Sequence, residues 1–285
     1  MFSPSMLLRP SARHSHQNRD LPGAALLLLL VLVTFLPVQP GYSDDTLTDN
    51  KLRVVTAEIE AADIDPRAVN VLEGERLEDF LQRLDQELLL EDVLTIHFGS
   101  DDGPLYDPAD NRIQIPVPFV EEIIERLEAL GGSREPDTPD ALLLAAEDVL
   151  MHVLLHEVGH ALIAMYEIPV LGREEDAVDA FSNLYLLESY ADGGEMLLGA
   201  ADMFASESND YQELDEAHFW DEHSLDAQRY YTVVCHIYGH DPDEYEWLLD
   251  ETGIPAERGE GCITEFELLT SDWRFLLEPW WPETD

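Results

Sequence analysis

Val153-Leu154-Leu155-His156-Glu157-Val158-Gly159-His160-Ala161-Leu162 contains the pattern H-E-x-x-H, and the reading of the whole chain turns on it. On a helix, residues four apart lie one turn above each other. His156 and His160 therefore present their imidazoles side by side, at a spacing that suits one tetrahedral Zn²⁺. Glu157 projects beside the ion, where a carboxylate can take a proton from an activated water. The uncharged flanks suit a buried helix. The alternative is a plain core helix whose two histidines only satisfy internal hydrogen bonds.

Two histidines do not complete a catalytic zinc site, which has three protein ligands and an open position. A further histidine six residues on is one route, but Tyr166 stands there. A glutamate from a later helix is the other, and Glu175 lies 15 residues after His160. Glu175 and Asp179 share a helical face, whereas Glu174 and Asp176 are each turned about 100° from Glu175. The expected third ligand is thus Glu175, with Asp179 one turn later orienting a ligand histidine through its far ring nitrogen. His152 is expected in the core or behind the ligands. His236 and His240 are also four apart but lack a neighbouring glutamate.

Strand and helix patterns precede the motif. Leu52–Ile59 and Val93–Phe98 read as strands, Glu75–Leu90 as an amphipathic helix, and Ser100–Asn111 as turn-rich. Arg112–Val117 reads as a short strand, and Phe119–Leu130 as a helix stopped by Gly131-Gly132. The Pro-rich run 133–140 is a hinge, with Asp137 or Thr138 a cap for the motif helix, which runs to about Tyr166. Helical patterns dominate afterwards, broken at Gly193-Gly194. The aromatic tail Phe275–Trp281 is expected to pack rather than bind.

At the other end of the chain, Arg9, Arg13 and Arg19 precede the apolar run Ala24–Leu36, and small residues follow to Ser43. That is the layout of a secretory signal peptide over 1–43. The run is short beside the roughly 20 residues of a membrane span, and an uncleaved anchor is the alternative. Export to the periplasm or the exterior follows, with residues 44–285 as one domain and no stable membrane insertion after cleavage. Cys235 and Cys262 would then form a disulfide. The chain has 15 Lys+Arg against 61 Asp+Glu, a net charge of −46. Such a charge excludes nucleic acid and anionic lipid as partners. Either it is a solvated acidic surface, or it attracts a cationic substrate.

The segments HEVGHALI, GREEDAVDAF and DEHSLDAQRYY, with CHIYGHDP nearby, resemble the two-His, one-Glu branch of the zincin metallopeptidases, the gluzincins. More narrowly they are similar to a bacterial family grouped as metallopeptidases on the strength of H-E-x-x-H. The resemblance spans roughly Leu52–Glu267. It implies an α+β, zincin-like fold: a small N-terminal lobe of strands and helices, a central H-E-x-x-H helix and a mainly helical C-terminal lobe. It also implies one Zn²⁺ per chain, peptide or protein substrates and Glu157 as general base. In gluzincins a histidine or tyrosine of the C-terminal lobe stabilises the oxyanion. His223 is the first choice here and Tyr230 or Tyr231 the alternative. A plain helix cap, with Asp226 paired to Arg229, would explain that segment equally. A zinc hydrolase of non-peptide amides and a non-catalytic binding module also fit the motif.

Overall fold

Alternating burial builds the sheet. In β2 (Leu94–Phe98) the side chains of Leu94, Ile96 and Phe98 are buried while Thr95 and His97 are partly exposed, the period-2 pattern of a half-covered strand. The computed structural model describes residues 51–56, 64–130, 139–211 and 213–278. The signal-like segment, the 133–138 hinge with its cap and Trp280-Trp281 lie outside them. β1 (Leu52–Thr56) runs parallel to β2, and α1 (Pro66–Leu72) and α2 (Glu75–Glu87) lie between them in sequence. β3 (Leu105–Asp107) and β4 (Arg112–Ile115) pair antiparallel, and β4 is parallel to β2. The order β1-β2-β4-β3 leaves β3 at an edge. With three residues, β3 is too short to show alternation, so the run 100–111 reads only as turns until β4 pairs with it.

α3 (Val117–Ala129) leads to α4 (Pro139–Tyr166), the helix that bears H-E-x-x-H. α4 is apolar on nearly all sides, and such a helix must be enclosed. It packs against α3, α5 (Glu174–Ser189) and α6 (Gly193–Glu207). Gly159 sets the distance to α5: a Cβ there would lie 2.9 Å from the Val178 side chain. α5 is buried without interruption from Val178 to Leu187. The pair Gly193-Gly194 opens α6, where the Leu186 backbone leaves Gly193 no room for a Cβ.

The remaining helices are α7 (Glu216–Trp220), α8 (Asp226–His240), α9 (Trp247–Thr252) and α10 (Ala256–Leu277). α8 packs on α6 and α10, and a Cys235–Cys262 disulfide joins α8 to α10. The molecule is α+β: a small sheet with helices on the N-terminal side, then a helical remainder. Phe275 departs from the packing expected of the tail. It is 76% exposed while Leu277 is buried, because the amphipathic end of α10 turns one face to water. Among the described residues, no helix is long and apolar enough to cross a membrane.

Candidate metal centre

Because α4 is enclosed, the face it shares with α5 sets what its histidines can meet. His156 and His160 lie one turn apart, with ring centroids 5.0 Å from each other. α5 starts beside them, and its first turn supplies Glu174 and Glu175. Glu175 Oε2 lies 3.1 Å from His156 Nε2 and 3.3 Å from His160 Nε2. The three residues each offer a donor atom within 4.8 Å of the others. The loop after α7 brings His223 to the same oxygen, with its Nε2 at 3.0 Å. Arg173 Nη1 fixes that loop by donating to the His223 carbonyl at 2.6 Å.

The far ring nitrogens are occupied. His156 Nδ1 donates to Asp179 Oδ1 at 2.7 Å, and His160 Nδ1 to Glu174 Oε1 at 2.8 Å. Both imidazoles therefore turn Nε2 toward Glu175. Arg229 of α8 grips Asp179 from behind, through Nε to Oδ2 at 2.7 Å and Nη2 to Oδ1 at 2.8 Å. The Phe204 ring covers the guanidinium, 4.1 Å from its centroid.

Electrostatics follow this geometry. Burial works to raise the Asp179 carboxyl, yet its bonds to His156 and Arg229 hold it well below the usual carboxylate range. Glu175 likewise resists burial because three imidazoles face it. Glu157 differs: burial pushes its carboxyl up, against the pull of His156 and His160 and of the Tyr106 backbone N–H. A cavity of about 440 Å³ opens over the group, lined among others by Tyr106, His156, Glu157, His160, Glu175 and His223.

Two imidazole Nε2 atoms and one carboxylate oxygen, each imidazole braced by a second carboxylate, form a donor set suited to Zn²⁺. Hard cations such as Mg²⁺ and Ca²⁺ favour oxygen-only shells. The residues present fit the metal.

The structure thus brings together His156, Glu157, His160, Glu175, Asp179 and His223, which are distant in sequence. It places Tyr231 half-exposed, and neither Tyr230 nor Tyr231 lines the cavity. Arg229 pairs with Asp179 and not with Asp226, because it points into the core toward α5. The expected pairing of neighbours on α8 gives way to that contact. His236 is buried and bonded to Asn183, and His240 packs edge-on against Phe266. Neither belongs to a metal-ligating cluster among the described residues. Sequence reasoning missed the bond of Arg229 to Asp179, the role of Tyr106 and the bond that His160 donates to Glu174. Arg229 is the one lysine or arginine of α8, and that was the available signal for the first. The Tyr106 amide leaves no trace in sequence.

A family model described as "Putative metallopeptidase" matches residues 60–277. Comparison with curated proteins and with solved structures gives no match.

Proposed function

The chain belongs to this family of metallopeptidases, and we propose that it is an exported zinc-dependent hydrolase of peptide bonds. One zinc per chain is held by His156, His160 and Glu175. The observation behind the catalytic reading is Glu157, a buried carboxyl with a raised pKa that lines the cavity next to the donor set. A purely structural site has no use for such a base.

When bound, the ion supplies Lewis acidity: it lowers the pKa of a water toward about 7 and polarises the scissile carbonyl. Glu157 takes the water's proton and passes it to the leaving amine. Its raised pKa suits both transfers, since the acid form must persist long enough to donate. The Tyr106 N–H holds the carboxyl in place. Asp179 and Glu174 fix the two imidazoles, and Arg229 keeps Asp179 ionised. His223 donates from Nε2 to the oxyanion of the tetrahedral intermediate. That Nε2 meets Glu175 Oε2 at 3.0 Å, and its N–H would be freed for this role by zinc on that oxygen.

β3 flanks the cavity through Leu105 and Tyr106 and is an edge strand, so an extended peptide can add to it by main-chain hydrogen bonds. Export is supported by the signal-like layout of residues 1–43 and by the Cys235–Cys262 disulfide, since such bonds persist in oxidising compartments.

The test is metal analysis of the exported protein, with peptide-library cleavage read by mass spectrometry before and after chelation. One zinc per chain and cleavage that chelation abolishes and zinc restores are expected. Substoichiometric zinc after growth with zinc supplied, or no zinc-dependent cleavage, would end the reading.

A further inference from the structure

A second cavity, of about 220 Å³, adjoins the first. It shares His156, Glu157 and His223 with the main cavity but neither His160 nor Glu175. It therefore adjoins the donor set at His156 and Glu157, away from His160 and Glu175. Its walls include Val149, Val153, Met203 and Phe204. Glu207 and Arg229 line it as well, and both also line a third, open cavity.

We propose that this second cavity is the side-chain pocket for the substrate residue that supplies the leaving amine, and that it selects lysine or arginine. The proposal rests on the peptidase reading above. Glu157 delivers its proton to the leaving nitrogen and lines both cavities, and the second opens from it away from His160 and Glu175, where the residue bearing that nitrogen places its side chain. Apolar walls accept the methylene stem, and Glu207 meets the cationic end.

Charge accounting favours a cation. Among the described residues, no hydrogen bond or ion pair reaches the Glu207 carboxyl. Arg229 does not neutralise it, because two of its bonds go to Asp179 and Phe204 covers its plane. His152, also in the wall, is neutral, with burial pushing its pKa down to about 4. Arg126 is paired with Glu122 and Asp210.

Burial raises Glu207 to about 7, with Asp226 and Glu122 adding to the rise and Arg229 and Arg126 opposing it. A leucine or phenylalanine would strip water from this carboxyl and offer no partner, which is the unfavourable way to bury a polar group. A lysine ammonium supplies the partner. The surplus of acid over base in the whole chain draws cationic peptides in the same direction.

The test compares two otherwise identical peptides, with lysine or norleucine after the scissile bond, cleaved by the zinc-loaded protein. Norleucine keeps an unbranched apolar stem and lacks the charge. Wild type should favour lysine in kcat/KM by roughly 10–100-fold, and Glu207→Gln should bring the ratio toward one. Equal or better cleavage of the norleucine peptide by wild type, or an unchanged ratio in Glu207→Gln, would overturn the pocket assignment. Glu207→Asp, which keeps the charge on a shorter arm, should give an intermediate ratio, and the wild-type ratio decides even where a variant does not fold. If neither peptide is cleaved, the peptidase reading fails separately. Calorimetric binding of the same two peptides then decides the pocket: tighter lysine binding lost in Glu207→Gln supports it, and equal binding overturns it.

Discussion

Two buried polar chains run side by side from α4 through α5 to α8, and they behave in opposite ways. In one, His156 bonds Asp179, which bonds Arg229. In the other, His152 Nε2 meets Asn183 Oδ1 at 3.1 Å, and Asn183 Nδ2 meets His236 Nδ1 at 3.0 Å. Each begins on α4, one turn apart, and passes through α5 residues also one turn apart. The middle residue makes the difference. Asp179 is ionic and holds His156 above its ordinary pKa even though burial works the other way. Asn183 is neutral, so burial prevails and both His152 and His236 fall to about 4. Position on the H-E-x-x-H helix alone does not make a metal ligand. Here the carboxylate behind the ring separates the two positions, since His152 also lines a cavity.

The widest separation between the chains should come from Glu157→Gln, which leaves both intact and removes only the base. Turnover should fall by about 10²–10⁴-fold with zinc content unchanged. Loss of zinc in this variant would mean that Glu157 is a ligand and that the ionic chain serves a different centre.

Acid should then separate the two chains in the metal-free protein. The histidines of the neutral chain have folded-state pKa values depressed to about 4 from an ordinary 6.5. The unfolded chain therefore binds their protons first. Their contribution to stability is complete above about pH 6.5 and is lost as the pH falls toward 4, by roughly 3 kcal/mol for each histidine. Asp179, held low, keeps its charge across that window. Imidazole NMR titration, with urea unfolding at matched pH, reads this directly. Ordinary titration of His152 near pH 6.5 would break the contrast.

Asp179→Asn turns the ionic chain into a copy of the neutral one. Zinc affinity should fall by about 10–100-fold, measured by competition with a chelator. Retained affinity would show that Glu174 and Glu175 suffice. The smallest effect is expected from Asn183→Ala, which unpairs two buried ring nitrogens. Stability should drop by about 1–3 kcal/mol in urea unfolding while zinc affinity holds. A parallel loss of zinc would show that the chains are coupled through α5.

Much of this was legible in the residues, for identifiable reasons. α4 ends at Tyr166, as expected, because Ile168-Pro169 cannot continue a helix. The Glu175/Asp179 face follows from 3.6 residues per turn alone. β3 was not legible, since three residues carry no period. Arg229 was assigned to Asp226 because local spacing favours neighbours, while the partner it meets lies 50 positions away in sequence.

By itself, then, the sequence determined the helix that bears His156, Glu157 and His160, the face that holds Glu175 and Asp179, and the excess of acid. Those depend on local geometry and composition, which a linear reading contains. Tertiary structure alone decided that Arg229 braces Asp179, that the Tyr106 amide meets Glu157, that His152 is bonded to Asn183 and stays neutral, and that Glu207 lines a pocket beside the base. Each of these depends on how closely two elements approach, and that distance is set by packing, as Gly159 sets it between α4 and α5, a quantity that no spacing within one element encodes.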